Sequence, residues 1–237
     1  MKAIYEPKGR AREYGELAVN LYRGCSHGCT YCYVPAATFQ SREEFAKPVP
    51  RVGVLEALKK EAPKYAGREV FMSFSCDPYQ FIDVGLKYTR EAIKILHDND
   101  ISVRILTKGG HRSQRDFDLL TEKDWYGVTL TAILNIDNYK TYEPMSALPY
   151  ERIFFLHRAF IRGIKTWVSL EPVINPDDTL RIIENTHSFV DEYRVGKWNH
   201  SAEANKIDWK DFVYRAKGLL DRFGKKYYIK KDLEGYE

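Results

Sequence analysis

Residues 22–33 read Tyr22-Arg23-Gly24-Cys25-Ser26-His27-Gly28-Cys29-Thr30-Tyr31-Cys32-Tyr33. Three of the chain's four cysteines fall in this stretch with C-x3-C-x2-C spacing. Cysteines crowded this closely are poor disulfide partners, and in a reducing compartment they are more often metal ligands or redox groups. A structural zinc site takes four N/S ligands, often as paired C-x2-C knuckles. Three thiolates on one loop can instead hold three irons of a cubane, leaving the fourth iron open to a further ligand. A zinc site completed by Cys76 or His27, and unligated core cysteines, are the alternatives. Gly24 and Gly28 allow the loop to turn tightly.

Outward from the loop, strand-like and helix-like segments alternate. Strands are expected at Glu16–Tyr22, Glu69–Ser75, Ile101–Thr107, Tyr126–Ile133, Ile164–Leu170 (stopped by Pro172) and Phe189–Val195, with a short one at Tyr227–Lys231. Helices are expected at Val52–Ala62, Tyr88–Asp98, Arg112–Leu120, Tyr150–Arg162, Thr179–His187 and Trp209–Phe223. Six strand–helix units of about 30–35 residues argue for parallel pairing with right-handed crossovers. A doubly wound open sheet and a barrel both fit. The first strand lacks a glycine-rich phosphate fingerprint, which favours a barrel or partial barrel, with its site at the carboxyl ends of the strands. Unusual polar residues gather at those ends: Cys25, Ser75 to Gln80, Thr107 to Gly110, Thr129 and Thr131, Glu171, and Gly196 to Asn199.

The bulk properties are those of an ordinary globular chain, 44% hydrophobic and 30% charged over 237 residues. No run of 18 apolar residues occurs, and the N-terminus lacks the apolar core of a secretion signal, so a cytoplasmic protein without a membrane span is expected. The net charge of +4 hints only weakly at a polyanionic partner. Residues 206–237 carry nine Lys/Arg against six Asp/Glu, with Lys225, Lys226, Lys230 and Lys231 around Tyr227 and Tyr228. Such interleaving suits a base-stacking, backbone-tracking surface, or simply a solvated helix face and a terminal strand. One domain spanning 1–237 is expected, with a cluster loop at 23–50 and a C-terminal basic and aromatic extension at 206–237.

The cysteine motif, C-x3-C-x-aromatic-C after a first strand, resembles the signature of the radical S-adenosylmethionine (SAM) superfamily. With SCDPYQ at 75–80, LTKGG at 106–110 and LEPVI at 170–174, the chain is similar to the spore photoproduct lyase-like, or DNA repair photolyase-like, branch. The resemblance implies a partial (β/α)6 TIM-like barrel of the radical SAM type. It also implies a [4Fe–4S] cluster on Cys25, Cys29 and Cys32, with SAM as second cofactor, cleaved reductively to a 5′-deoxyadenosyl radical that abstracts hydrogen.

Carried over residue by residue, the resemblance places Tyr31 near the adenine. It sets Ser75 and Asp77 at the SAM amino group, Lys108 at the carboxylate, and Thr131 and Glu171 at the ribose or carboxylate. Each also has a plainer reading: Asp77 as a turn residue before Pro78, Lys108 and Glu171 as strand-end charges, Thr131 as a strand residue. Cys76, Tyr33 and Tyr79 are the catalytic candidates, Cys76 as a hydrogen-atom donor and the tyrosines as relays or stacking residues. Inert packing is the alternative for all three. In the lyase the donor cysteine aligns nearer Phe74 than Cys76, so the chain departs from the lyase there. Lys197 and Asn199 are weaker candidates on the substrate side.

The expected activity is hydrogen abstraction from a nucleic acid base or nucleotide, of lyase or isomerase type. The alternatives are a radical SAM isomerase or mutase acting on a small molecule, peptide or modified-base side chain, and a non-catalytic metal-stabilised nucleic-acid-binding module. The expected partners are an electron donor such as flavodoxin or ferredoxin and DNA or a nucleotide, with no membrane. The chain is shorter than a full lyase and shows no added DNA-binding domain, so lesion repair is one expectation among several.

Overall fold

The computed structural model describes residues 2–132 and 136–236. Among them, eight strands form one sheet in the order β1 (Ile4–Tyr5), β2 (Ala18–Val19), β5 (Glu69–Met72), β6 (Ser102–Thr107), β7 (Trp125–Thr129), β8 (Lys165–Val173), β9 (Glu192–Lys197) and β10 (Lys226–Ile229). All neighbours from β2 to β10 are parallel, and β1 lies antiparallel on the β2 edge. Two further strands, β3 (Tyr22–Arg23) and β4 (Val49–Pro50), pair as a separate ribbon. The helices are α1 (Val34–Ala37), α2 (Arg42–Phe45), α3 (Val54–Glu61), α4 (Phe81–Leu86), α5 (Tyr88–His97), α6 (Ile136–Tyr142), α7 (Pro149–Ile161), α8 (Pro176–Thr186) and α9 (Trp209–Arg222). This is the parallel α/β arrangement expected of a partial barrel.

The period-two alternation of each strand sorts its side chains between two environments. Val70, Met72, Val103, Ile105, Tyr126, Val128, Val168, Leu170, Tyr193 and Val195 belong to the core shared with the helices. The residues between them face inward, where Phe71 and Trp167 join Tyr14 and Ala18 in a second cluster flanked by Phe74, Leu106 and Trp125. Gly127 is part of this packing: a Cβ there would lie 2.2 Å from the Trp167 indole nitrogen, which donates to Ile105 O at 2.9 Å. Below, Arg104 pairs with Glu69 (2.9 Å) and Glu192 (3.2 Å), its guanidinium 4.3 Å from the Trp125 ring centre. The barrel interior therefore has a filled, aromatic floor.

The 3₁₀ turn Gly9–Glu13 bridges the β1/β2 side and the β9/β10 side of the sheet. Arg194 donates to Glu13 O (2.6 Å), Lys231 N to Glu13 Oε2 (3.3 Å), and Arg10 pairs with Asp232 (3.3 Å). Among the described residues, no helix is long and apolar enough to cross a membrane.

Several elements depart from the sequence expectation. The first strand is broken at Asn20, whose side-chain oxygen takes the amides of Phe74 (2.8 Å) and Ser75 (3.1 Å), so only Ala18–Val19 joins the main sheet. Arg112–Leu120 is not an α-helix: Gly110–Asp116 forms a 3₁₀ turn, in keeping with a polar run without apolar 3.6 periodicity. Pro172 does not stop its strand. β8 runs through it to Val173, with a register shift against β9 between Leu170 and Val173, the kind of irregularity that tolerates a proline. The strand expected over Tyr126–Ile133 is observed as Trp125–Thr129, and Ile133 lies outside the described residues.

Residues 206–237 do not form an appendage. α9 packs on α8, and β10 pairs with β9. The Lys225–Lys231 run is depleted: Lys230 is 3% exposed and ion-paired, and Lys225 donates to Val190 O (3.0 Å), leaving Lys226 and Lys231 exposed, along with Lys206, Lys210, Arg215 and Arg222 before them.

Candidate active site

The cysteine loop is held from three sides by groups that leave its thiols free of protein covalent bonds. α2, opened by the reciprocal capping of Ser41 and Glu44, stands on one side. Phe45 O accepts from Cys25 N (2.8 Å), and Arg42 donates to Cys29 O (3.1 Å) and Cys32 O (3.4 Å). Gln80 supports the loop from the β5 end, accepting from Ser26 N (3.0 Å) and donating to Gly24 O (3.3 Å). Residues 142–147 form the third side: Thr30 N donates to Tyr142 O (2.9 Å), Met145 N to His27 O (3.1 Å), and Ala147 N to Lys108 O (2.9 Å). Gly24 is required, since a Cβ on its left-handed backbone would lie 2.6 Å from Phe45 O.

The loop carries three free thiols, a donor set that fits an iron–sulfur cluster with one thiolate on each of three irons. Among the described residues, no three His, Cys, Asp or Glu side chains converge on one ion. Three thiolates each serving a different iron do not need to. His27, an alternative zinc ligand, turns Nδ1 to Met145 O (3.2 Å) and brings Nε2 3.1 Å from Asp77, without the alignment of a good hydrogen bond. Burial, with Asp77 adding, pushes the Cys25 thiol well up, and burial also raises Cys29. Thiolates so placed need a compensating cation, which a bound metal supplies.

Tyr31 is anchored through a buried chain. Its hydroxyl donates to Glu143, which is ion-paired with Arg152, and Arg152 donates to Thr129 O and Ala147 O (both 2.8 Å). Burial, then Glu143, keeps the Tyr31 phenol well above its ordinary pKa. Lys108 stands beside this chain, its ammonium 5.7 Å from the Tyr31 ring centre. Burial alone would lower Lys108, but Cys29 and Glu143 outweigh it and the net shift is upward. No described group accepts a hydrogen bond from that ammonium. A desolvated cation beside the cysteine loop, without an acceptor among the described residues, is suited to a carboxylate ligand.

Asp77 differs from expectation. It accepts from Tyr79 N (2.8 Å), Thr107 Oγ1 (2.7 Å) and Lys108 N (2.6 Å), and it is buried. Burial would raise its pKa, yet His27 and these donors hold it below the carboxylate range. Asp77 thus ties the end of β5 to the end of β6 and holds the Lys108 backbone, two donors meeting Oδ1 and one meeting Oδ2.

Thr131 is buried just beyond β7. Glu171, at the end of β8, binds Lys230 (2.7 and 2.9 Å) and accepts from the Tyr14 hydroxyl, which also lies 3.0 Å from Ser169 Oγ. Ser75 is partly exposed at the β5 end. The Cys76 thiol is pushed up to about 11, chiefly by burial, so it persists as S–H. Tyr33 is 56% exposed, yet its hydroxyl is desolvated enough to be raised, next to Cys32 and Glu171.

Tyr79 is 1% exposed and packs in the core beside Gly109, and its buried hydroxyl has no hydrogen-bond partner among the described residues. Lys197 is committed, donating to the Tyr236 hydroxyl (2.9 Å), and Asn199 binds Asp232 (2.7 Å) and Lys197 O (3.0 Å). The positioning residues that sequence reasoning missed are Arg42, Gln80, Glu143 and Arg152. Only Gln80 stood in a quoted motif; the other three read as ordinary helix or loop charges.

A family model for the radical SAM superfamily matches residues 19–190. No curated protein matches the chain significantly by sequence. Among solved structures, a spore photoproduct lyase variant with bound AdoMet and dinucleoside spore photoproduct superposes with a TM-score of 0.72 at 13% identity, covering 94% of this chain and 78% of that one. Spore photoproduct lyase complexed with dinucleoside spore photoproduct gives 0.68 at 13% identity with the same coverages. Streptococcus suis SuiB bound to S-adenosylmethionine gives 0.64 at 11% identity, covering 90% of this chain and 50% of that one. At these identities the likeness is one of fold.

Proposed function

The chain belongs to the radical SAM superfamily, and from that premise we propose that it abstracts hydrogen from a nucleic acid base or nucleotide, in the manner of a spore photoproduct lyase. Members of this superfamily are enzymes that use a [4Fe–4S] cluster, SAM and an external one-electron reductant. When bound, the cluster and SAM supply reductive sulfonium cleavage and the 5′-deoxyadenosyl radical.

In this reading Cys25, Cys29 and Cys32 hold the cluster, and Arg42, Gln80 and residues 142–147 fix the loop that carries them. Lys108 takes the SAM carboxylate, Thr131 offers a hydroxyl to its polar groups, and Tyr31 packs near the adenine. Asp77 acts through Lys108 as a positioning residue. Glu171 retains enough exposure to accept from ribose hydroxyls while Lys230 balances its charge. Cys76, held as a thiol, is offered as a hydrogen-atom donor, and Tyr33 lines the mouth. Flavodoxin or ferredoxin is the reductant class, and a cytoplasmic setting is consistent with free thiols.

The observation that carries the substrate class is the aromatic floor. Tyr14, Phe71, Phe74 and Trp167 lie within 4.1–6.2 Å of one another, centre to centre, in the pairs that touch. Phe74 is partly exposed, while Tyr14, Phe71 and Trp167 are buried. An aromatic ring so backed offers a base a stacking surface. The likeness in fold to a lyase solved with a dinucleoside photoproduct supports the same class.

The test is anaerobic incubation of cluster-loaded protein with SAM, dithionite and thymidine dinucleosides or spore-form photoproduct, followed by mass spectrometry. Loss of the photoproduct, or deuterium passing from labelled substrate into 5′-deoxyadenosine, is expected. SAM cleavage without transfer from any nucleoside, alongside transfer from a peptide or small metabolite, would defeat the substrate assignment.

A further inference from the structure

Beside the cysteine loop, β3, α1 and α2 enclose a cavity of about 390 Å³, within the range of small-molecule sites. Val34 and Phe45 form its apolar wall. Thr38, Gln40 and Ser75 are its neutral polar groups, and Arg23 is its charged one. No carboxylate lines it.

The Thr38 hydroxyl turns its one hydrogen back to Val34 O at 2.8 Å, with Gln40 Oε1 3.0 Å and Pro35 O 3.3 Å away, so Thr38 has no donor left for the cavity. Ser75 has its backbone N–H engaged by Asn20 Oδ1, and its hydroxyl remains available. Arg23 is exposed and has no hydrogen bond or ion pair with any described residue. Its backbone is fixed: Arg23 sits opposite Val49 in the β3–β4 ribbon and is followed by Gly24 and the Cys25–Phe45 bond. A guanidinium and a hydroxyl on a rigid frame, without a competing anion, form a site for an oxyanion.

We propose that this cavity is an anion subsite that holds a phosphate group of a nucleotide or nucleic acid strand, with Arg23 as its charged anchor. The inference rests on the nucleic-acid reading for the source of the phosphate. It places that phosphate beside Ser75, at the strand end that continues through Cys76 and Asp77.

The experiment uses the full-length, cluster-loaded chain. Calorimetric titration with inorganic phosphate should show binding that Arg23→Ala weakens by about tenfold or more, the loss of a hydrogen bond to a charged group, while Arg23→Lys retains part of it. Iron content of the variants serves as the folding control. Thymidine monophosphate should bind more tightly than thymidine to the wild type and not to Arg23→Ala. With a single-stranded oligonucleotide, Arg23→Ala should reduce the slope of log K against log salt by about 0.7, one phosphate contact. Binding of the monophosphate but not the strand would keep the subsite and assign it to free nucleotides. Phosphate affinity unchanged in Arg23→Ala, or phosphate displaced competitively by SAM, would overturn the proposal. Because phosphate binding is read without turnover, this result is separable from failure of the base-chemistry assay.

Discussion

Glu143 and Arg152 form an ion pair with neither side chain exposed to solvent, and Glu143 also accepts the hydroxyl of Tyr31 in the cysteine loop. The pair therefore joins the loop to Thr129 at the end of β7. Arg152→Leu strands a buried carboxylate, and the expected loss is about 3–5 kcal/mol in denaturant unfolding. Replacing both partners by leucine should recover much of that stability without restoring iron retention, because Tyr31 would still lack its acceptor. Full iron retention in the double variant would show that the chain does not position the loop.

The Lys108 ammonium makes no hydrogen bond to a described residue, and Asp77 and Ala147 hold only its backbone, so removing the side-chain charge should cost ligand affinity and little else. Lys108→Met is expected to weaken SAM binding about tenfold to a hundredfold, as measured by equilibrium dialysis on cluster-loaded protein, with the unfolding midpoint nearly unchanged. Unaltered SAM affinity would remove Lys108 from the cofactor site.

At the other end of the barrel, Asp124 accepts from Val103 N and Thr121 N (both 2.8 Å) and lies 3.1 Å from His97. Burial opposes ionisation of Asp124, but His97 and the amides prevail and its pKa is lowered. A lowered carboxylate adds stability above its unfolded pKa of about 3.9 and loses it as pH falls through the folded value. The stability gap between wild type and Asp124→Asn should therefore shrink as pH falls below about 4. A gap undiminished in strong acid would refute this assignment.

Gly127→Ala drives a methyl group into the Trp167 indole. The expected cost is about 1–3 kcal/mol or more, with a changed tryptophan emission reporting the displaced ring. Wild-type stability and emission would mean that the aromatic floor is looser than described.

The cysteine loop and the barrel were legible because both rest on local signals: ligand spacing in one case, alternating periodicities and turn residues in the other. Lys108, Thr131 and Glu171 could be placed at the rim because strand ends follow from those periodicities. What escaped was decided by contacts between distant residues. Tyr79 follows Asp77 by two positions, yet it packs into the core against Gly109. Lys230 lies in a basic run, yet the pairing of β10 with β9 carries it to Glu171, and burial of that charge is affordable only with its partner. Asp77 has the composition of a ligand and the surroundings of a brace. Glu143 and Arg152 meet by folding of residues 142–152 back over β7, for which no pattern of residue types in the sequence is a signal.

The central claim is that Cys25, Cys29 and Cys32 hold a [4Fe–4S] cluster. Its most direct test is metal and sulfide analysis of anaerobically reconstituted protein beside its Cys29→Ala variant. The account predicts brown protein with about four irons and four sulfides per chain, lost in the variant together with dithionite-driven SAM cleavage. Colourless protein carrying one zinc, or a variant that keeps its iron and its cleavage, would contradict it.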